Sequence, residues 1–185
     1  MTTRQDRRVD TAALLTTRPF GLSGILGVLE RLDADRWYAL PDVAWTGRPP
    51  GTHGRVVVGP TGVFLLVHHP WAGEVSVRDG LLRVDGRSRD LYVGDAVEAA
   101  ASVAALLPPE LRAHVRALVC LSRQSGLDLS SRDVAVCAPD TLADVLERGP
   151  ERLCDPHRDH AEAVVRAAMR LETEGVLVPA PPALV

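Results

Sequence analysis

The chain has 185 residues, which suits one domain with a substantial hydrophobic core but not two full domains. Apolar residues make up 46% and charged residues 24%, and the net charge is −3, so the composition excludes wholesale disorder and gives no global sign of a polyanionic partner. All 21 basic residues are arginine, which excludes every mechanism that needs a lysine, including a phosphate loop, a Schiff base and the lysine of a metal-dependent nuclease. A GC-rich genome accounts for this bias, because asparagine is absent as well.

The cysteine pattern and the N-terminus indicate a reduced, non-membrane environment. Three cysteines are too few and too scattered for a disulfide framework, and Cys120 and Cys137 lie in apolar runs typical of reduced core cysteines. The charged opening "MTTRQDRRVD" has no apolar stretch behind it, and no apolar run approaches the roughly 18 residues that span a bilayer. We therefore expect a cytoplasmic protein without a membrane role.

The first third of the chain predicts one helix and a strand. Residues 1–20 are expected to form a short helix or a loose arm. From Ser23, a candidate N-cap, apolar residues at helical spacing predict a helix to about Leu32. "RWYALPDVAW" has strand composition, and "TGRPPGTHG" predicts a loop.

Two hairpins are predicted next. "RVVVGPTGVFLLVHHPWAG", residues 55–73, contains two apolar strands around a Gly-Pro-Thr-Gly turn. "EVSVRDGLLRVDG" alternates apolar and polar residues on both sides of Asp79-Gly80, a strong hairpin signal.

The remainder predicts helices that cover a sheet. "VGDAVEAAASVAALL" is a helix that stops at Pro108-Pro109, and "VRALVCLS" and "DVAVCA" are typical of strands buried on both faces. "APDTLADVLERG" and "DPHRDHAEAVVRAAMRLETEG" predict two closing helices, the second with Asp155 as N-cap, Pro156 at its first position and Gly175 at its end. The order of elements predicts an α/β fold with a mixed β-sheet flanked by helices. The predicted organisation is an N-terminal arm (1–20), an α/β domain (21–150), a C-terminal helix packed on it (151–175) and an extended tail (176–185).

The strand–turn–strand segment "RVVVGPTGVFLLV", followed by "PWAG", resembles the core of the NERD (nuclease-related) domain, a branch of the PD-(D/E)XK nuclease superfamily. The resemblance covers about 100 residues, from the helix near Gly21 to the strand that ends near Ser122. It implies a PD-(D/E)XK nuclease-like core. In that family, carboxylates from two strands and a helix hold a divalent cation through oxygen ligands, and a lysine orients a water molecule.

The residues that this resemblance places in the catalytic positions carry no such chemistry. The acid before the first strand falls on Gly54 and the histidine that follows it on Arg55. The acid that ends the second strand falls on Val67 and the lysine on His69, and the helix glutamate falls near Ile25. Glycine, valine and isoleucine supply no oxygen ligand, so the resemblance predicts a domain without the inherited nuclease mechanism.

His68 and His69 raise the question of a replacement metal site. Adjacent residues on a strand face opposite ways, so only His69 shares a face with Val67. With His53 or Glu74, His69 would offer ligands suited to zinc or manganese, and a nuclease with relocated ligands would draw on these residues and Asp42. The favoured interpretation is that both histidines are satisfied at a strand end beside Trp71.

The segment "CDPHRDH" places Cys154, His157 and His160 three residues apart. Residues three apart lie on one side of a helix, so two histidines and a thiol are a candidate zinc site. Polar residues are ordinary in the first turn of an exposed helix, and no metal is expected here.

Arginines near the expected cleft are candidates for nucleic-acid binding, since phosphate contacts need placed arginines and no metal. Acidic residues are interleaved with them, and only 4% of residues are aromatic, so base stacking is disfavoured. The candidates are Arg48, Arg55, Arg83, Arg87 and Arg89.

Together these observations predict a catalytically inactive NERD-like domain that acts as a binding or scaffold module, with no cofactor. A protein partner or homo-oligomer is favoured, because the tail Val176–Val185 and the replaced pocket are apolar. A nucleic-acid-binding module and a metal-dependent nuclease with relocated ligands are the alternatives.

Overall fold

The computed structural model describes residues 22–41 and 54–173. They form an α/β structure in which a mixed six-stranded sheet lies between helices and a smaller three-stranded sheet stands beside it. The predicted fold class is therefore confirmed, and it is compatible with an α/β nuclease-like core. The elements are α1 (Leu22–Leu29), β1 (Tyr38–Ala39), β2 (Gly54–Gly59), β3 (Gly62–His69), β4 (Val75–Arg78), β5 (Leu81–Val84), β6 (Arg87–Ser88), α2 (Asp90–Leu106), α3 (Pro109–Arg112), β7 (Val115–Leu121), β8 (Asp128–Ser131), β9 (Val134–Cys137), α4 (Leu142–Glu147) and α5 (Asp155–Thr173).

The large sheet has the strand order β1-β2-β3-β7-β9-β8. The tight turn at Pro60 and Thr61 makes β2 and β3 antiparallel, whereas the crossover through α2 makes β7 parallel to β3. Strand β9 continues the parallel pairing, and β8 closes the edge in the antiparallel sense. The three parallel strands therefore have a common amino edge and a common carboxyl edge, where functional groups of α/β proteins usually lie.

Both faces of this sheet are buried, as its continuous apolar runs predict. Along β3, Val63, Leu65 and Val67 pack with α2 and α5, and Phe64 and Leu66 pack on the opposite face with α1 and α4. Because side chains alternate along a strand, the sequence divides cleanly between the two cores. Helix α5 completes the first core through Ala161, Val165 and Met169.

The small sheet follows from two Asp-Gly turns. Asp79 and Gly80 have φ of 53° and 75°, and Asp85 and Gly86 have φ of 50° and 73°. Positive φ at both central residues is the type I′ geometry that suits a two-residue hairpin. The predicted β4–β5 hairpin is confirmed, and the second turn adds β6, which the sequence did not predict.

Several predicted boundaries are wrong. Helix α1 begins at Leu22, before Ser23, and ends at Leu29, because tighter turns follow in which the N–H of Leu32 donates to the carbonyl of Leu29. In the described part of "RWYALPDVAW" the strand is only Tyr38–Ala39. Helix α5 begins at Asp155 and not after it, because the carbonyl of Cys154 accepts bonds from the N–H groups of His157 and Arg158.

Two other elements were missed and one starts earlier. Helix α3 is a single turn with Pro109 at its start, so the Pro108-Pro109 pair begins a helix as well as ending one. Strand β8 is polar and lies at the sheet edge, where apolar patterning is weakest. Helix α2 begins at Asp90, three residues before the predicted start. The predicted arm (1–20), the loop before β2, Gly175 and the tail (176–185) lie outside the described residues.

Candidate functional site

Two of the positions that the resemblance assigns to metal-binding acids lie in the packed core. Gly54 and Val67 are direct partners across β2 and β3, and Val67 is only 3% exposed. A Cβ atom at Gly54 would come within 3.2 Å of the Leu65 side chain and of the Leu66 carbonyl oxygen. Apolar groups occupy the volume that a carboxylate pair would need.

Ile25, at the position of the helix glutamate, lies on the other side of the sheet. It is 1% exposed and packs with Phe64 and Leu66, whereas Val67 belongs to the core beneath α2. The four assigned positions therefore do not surround one pocket, since Gly54, Val67 and His69 share one face of the sheet and Ile25 lies behind it.

His69 ends β3 in an aromatic group at the carboxyl edge. Its ring stacks on Trp71 with centroids 4.2 Å apart and planes 2° apart, and Tyr92 meets both rings edge-on, at 5.2 Å and 4.9 Å. The Arg89 guanidinium covers the Trp71 ring at 4.8 Å. We call His69, Trp71, Tyr92 and Arg89 the His69 cluster.

Backbone contacts fix the strand end that carries this cluster. His69 pairs with Leu121 of β7, and its carbonyl accepts a 3.0 Å hydrogen bond from the N–H of Ser122. The side-chain amide of Gln124 donates to the carbonyls of Trp71 and Gly73, at 3.2 Å and 3.0 Å. The segment after β7 thus holds the backbone of this cluster in place.

Burial is the main cause that lowers the pKa of His69 to about 4; His68 and Arg89 act in the same direction, and Asp95 opposes them. The imidazole is therefore neutral at pH 7. Its Nε2 atom is buried without a hydrogen-bond partner among the described residues. The predicted position of His69 beside Trp71 is confirmed, but the expectation that its polar atoms are satisfied is wrong at Nε2, which lies among the rings of Trp71 and Tyr92.

Among residues 22–41 and 54–173, no group of three histidine, cysteine, aspartate or glutamate side chains is arranged to hold a metal ion. Glu74 therefore does not complete a site with His69 in this part of the chain. His53 and Asp42 lie outside the described residues. His69 thus has no described co-ligands, and its imidazole packs between the rings of Trp71 and Tyr92.

The Cys154 group is local to the start of α5. The Cys154 sulfur lies 3.4 Å from Nδ1 of His157, which is the expected contact between residues three apart at a helix start. His160 does not join them in a metal-binding group within the described chain.

The candidate nucleic-acid-binding arginines do not share a surface. Arg83 pairs with Ser88 and Arg87 with Val84, so the two arginines point to opposite faces of the β5–β6 ladder. Arg89 packs over Trp71, and Arg55 lies on β2 of the other sheet, opposite Leu66. Arg48 is outside the described residues.

Sequence reasoning missed a cleft at the opposite, amino edge of the parallel strands. A cavity of about 280 Å³ lies between the starts of β3, β7 and β9 and the segment after α4. Arg116, Arg148 and Arg152 line it, and we call it the arginine cleft. These arginines are scattered along the sequence, so no spacing indicates that they meet.

Comparison of the chain with family models, with curated proteins and with solved structures finds no match. The NERD resemblance therefore stays a prediction that rests on the residues of β2 and β3. In the described segments, none of the helices has the length and apolar character needed to cross a bilayer.

Proposed function

We propose that this chain is a binding or scaffold module on a NERD-like α/β framework, without nuclease activity, and that it works through a second copy or another protein. The observation that carries the proposal is the packing of Val67 against Gly54. A metal-dependent nuclease of this type needs carboxylate oxygens at these two positions. Val67 places an apolar side chain in the core here, and Gly54 has no side chain.

The character of α2 supports a protein partner over a nucleic acid. Leu91 is 81% exposed at its first turn, and Tyr92 and Val97 are also exposed. The helix contains acidic residues but no basic residue, so its outer face repels phosphates. Exposed apolar side chains beside a rigid aromatic cluster are typical of protein-binding surfaces.

The absence of nuclease activity is tested by incubating the protein with labelled single- and double-stranded DNA and RNA. Each substrate is used with Mn²⁺, with Mg²⁺ and with a chelator, across a range of salt concentrations. Intact nucleic acid in every lane is expected. Metal-dependent cleavage would contradict the proposal, and its loss in His69→Ala would identify relocated ligands. A salt-sensitive mobility shift without cleavage would favour the nucleic-acid alternative.

The binding surface is tested by sedimentation velocity over a wide range of protein concentration. We expect concentration-dependent self-association that Leu91→Glu abolishes. Ala105→Glu is the matched control, because it places the same charge on the exposed side of the same helix, about 20 Å away. A wild-type protein that stays monomeric would exclude self-association and leave a different protein as the partner.

A further inference from the structure

The arginine cleft lies on the face of the sheet that carries α1 and α4, far from the His69 cluster. Its floor is apolar, and its rim is cationic. The floor residues are Phe64, Ala117, Leu118, Ala135, Val145 and Pro150. The separation of floor and rim is the feature from which a ligand class can be inferred.

Arg116 is fixed at the rim by two contacts. Its Nη2 donates a 2.8 Å hydrogen bond to the carbonyl of Thr61, and its guanidinium carbon lies 4.7 Å from the centre of the Phe64 ring. These contacts hold the guanidinium plane without neutralising its charge. The remaining N–H groups stay available to an acceptor in the cleft.

Arg152 adds a second positive charge close to the first. Its backbone N–H donates to the Pro60 carbonyl at 2.7 Å, which anchors the segment after α4 against the β2–β3 turn. Burial and the charge of Arg152 both lower the pKa of Arg116. Within the described chain, neither arginine has a carboxylate at ion-pair distance, so no direct ion pair neutralises either charge.

The acidic residues near the cleft reduce this charge only in part. Arg148 is neutralised by a two-point ion pair with Asp128, at 3.1 Å and 2.5 Å. Asp133 also lines the cleft and adds one negative charge to it, without a described ion pair to Arg116 or Arg152. The cleft therefore suits an anion of low charge and disfavours a polyanion.

We propose that the arginine cleft binds a small organic anion that has one carboxylate or similar charged group and an apolar body. Arg116 and Arg152 bind the charged group, and the floor around Phe64 receives the apolar body. A volume of about 280 Å³ is at the lower end of the range for ligand pockets, so the ligand is small. Guanidinium groups suit this role because they bind carboxylates in a planar, two-point geometry.

The proposal is tested by following backbone amide resonances of the full chain during titration with three probes. Benzoate carries both features, benzyl alcohol has the apolar body without the charge, and inorganic phosphate has the charge without the body. Saturable shifts from benzoate at Ala117, Ala135 and Gly149 are expected, with affinity at least about tenfold higher than for either other probe.

Arginine variants distinguish specific binding in the cleft from non-specific electrostatic attraction of the anion to a positively charged surface. Arg152→Gln is expected to weaken benzoate binding about tenfold, and Arg116→Gln at least as much. Arg123→Gln is the matched control, because it removes the same charge just beyond the carboxyl end of β7 and should leave the affinity unchanged. Arg152→Gln is decisive if Arg116→Gln impairs folding, since only the backbone of Arg152 contributes a described fold contact.

Three results would overturn the proposal. They are an absence of saturable benzoate binding, equal binding of benzyl alcohol, and equal loss of affinity in the Arg123 and Arg152 variants. None of them would affect the proposed lack of nuclease activity, which depends on the other face of the sheet.

Discussion

The two edges of the parallel strands differ in whether they have space for a ligand. At the carboxyl edge, stacked rings and a neutral imidazole fill the space around His69. At the amino edge, arginines surround a cavity of about 280 Å³. The carboxyl edge is where α/β folds usually place ligands, yet the described residues put the more open and charged site at the other end.

This difference shows that an edge of the sheet where related folds usually bind ligands need not bind one in this protein. The resemblance to a nuclease directs attention to β2, β3 and the carboxyl edge, where Val67 is buried in the core opposite Gly54. The arginine cleft lies where the resemblance assigns no function. Function has to be inferred from the groups that are present, and not from the fold alone.

Introducing an acid at a position that the resemblance assigns to a metal ligand should have the largest effect. Val67→Asp is expected to lower the free energy of unfolding by about 4 kcal/mol, because an unpaired charge would be buried against Gly54 and Leu65. Chemical denaturation measures the loss, and Val67→Thr, of similar shape but uncharged, should lose about 1–2 kcal/mol. An Asp variant of nearly wild-type stability that binds Mn²⁺ would show that the carboxyl edge retains a metal site.

The next largest effect is expected at Gly59, near the amino edge. A Cβ atom there would lie 2.1 Å from the Trp37 ring, so Gly59→Ala forces the indole out of the core. We expect a loss of about 3 kcal/mol in denaturation. The same substitution at Gly94, whose Cβ would meet no atom within 4 Å, should raise stability by about 0.5–1 kcal/mol. Equal effects at the two glycines would contradict the packing described at Trp37.

The large sheet was predictable because its signals are local. Continuous apolar runs in β3, β7 and β9 indicate burial on both faces. In the small sheet, the Asp79-Gly80 turn predicts the β4–β5 hairpin. Strand β8 was missed because an edge strand needs no apolar pattern, and β6 because two residues are too few to show one. The predicted start of α5 is one residue too late. The residue before the helix is Cys154, whose carbonyl accepts the first backbone hydrogen bonds, and Asp155 is already helical.

The sites were less predictable than the fold. The position of His69 beside Trp71 follows from their separation by one residue, but the closure of the group by Tyr92 and Arg89 depends on how α2 docks on the sheet. The arginine cleft depends wholly on tertiary contacts between β7 and the segment after α4. The sequence alone does not show which arginines lack an ion-pair partner in the folded protein.

A smaller effect is expected from pH at the carboxyl edge. The folded-state pKa of His69, about 4, lies below the ordinary value of 6.5, so the unfolded chain binds a proton that the folded chain does not. The contribution of His69 to the free energy of unfolding is therefore fully present above pH 6.5. It is lost as the pH is lowered towards 4, and the loss is about 2 kcal/mol after allowance for partial solvent screening. Melting temperatures measured between pH 7 and 4 test this.

His69→Phe keeps a ring against Trp71 without a titratable group, so its stability should depend less on pH over that range. His160→Gln, at an exposed position on α5, is the matched control and should retain the wild-type dependence. A His69→Phe protein with an unchanged pH profile would show that the imidazole is not the group responsible.

The smallest change in stability is expected at the ion pair that Arg148 of the arginine cleft makes with Asp128. Asp128→Asn breaks the ion pair with Arg148, whose proximity lowers the pKa of the Asp128 carboxyl. Because both side chains are exposed, the melting temperature should shift by less than about 2 °C. The same substitution frees a third arginine at the cleft, so benzoate should bind about two- to threefold more tightly. Weaker benzoate binding in this variant would mean that the ion pair with Asp128 holds Arg148 in the position that the ligand needs, and does not compete with the ligand for Arg148.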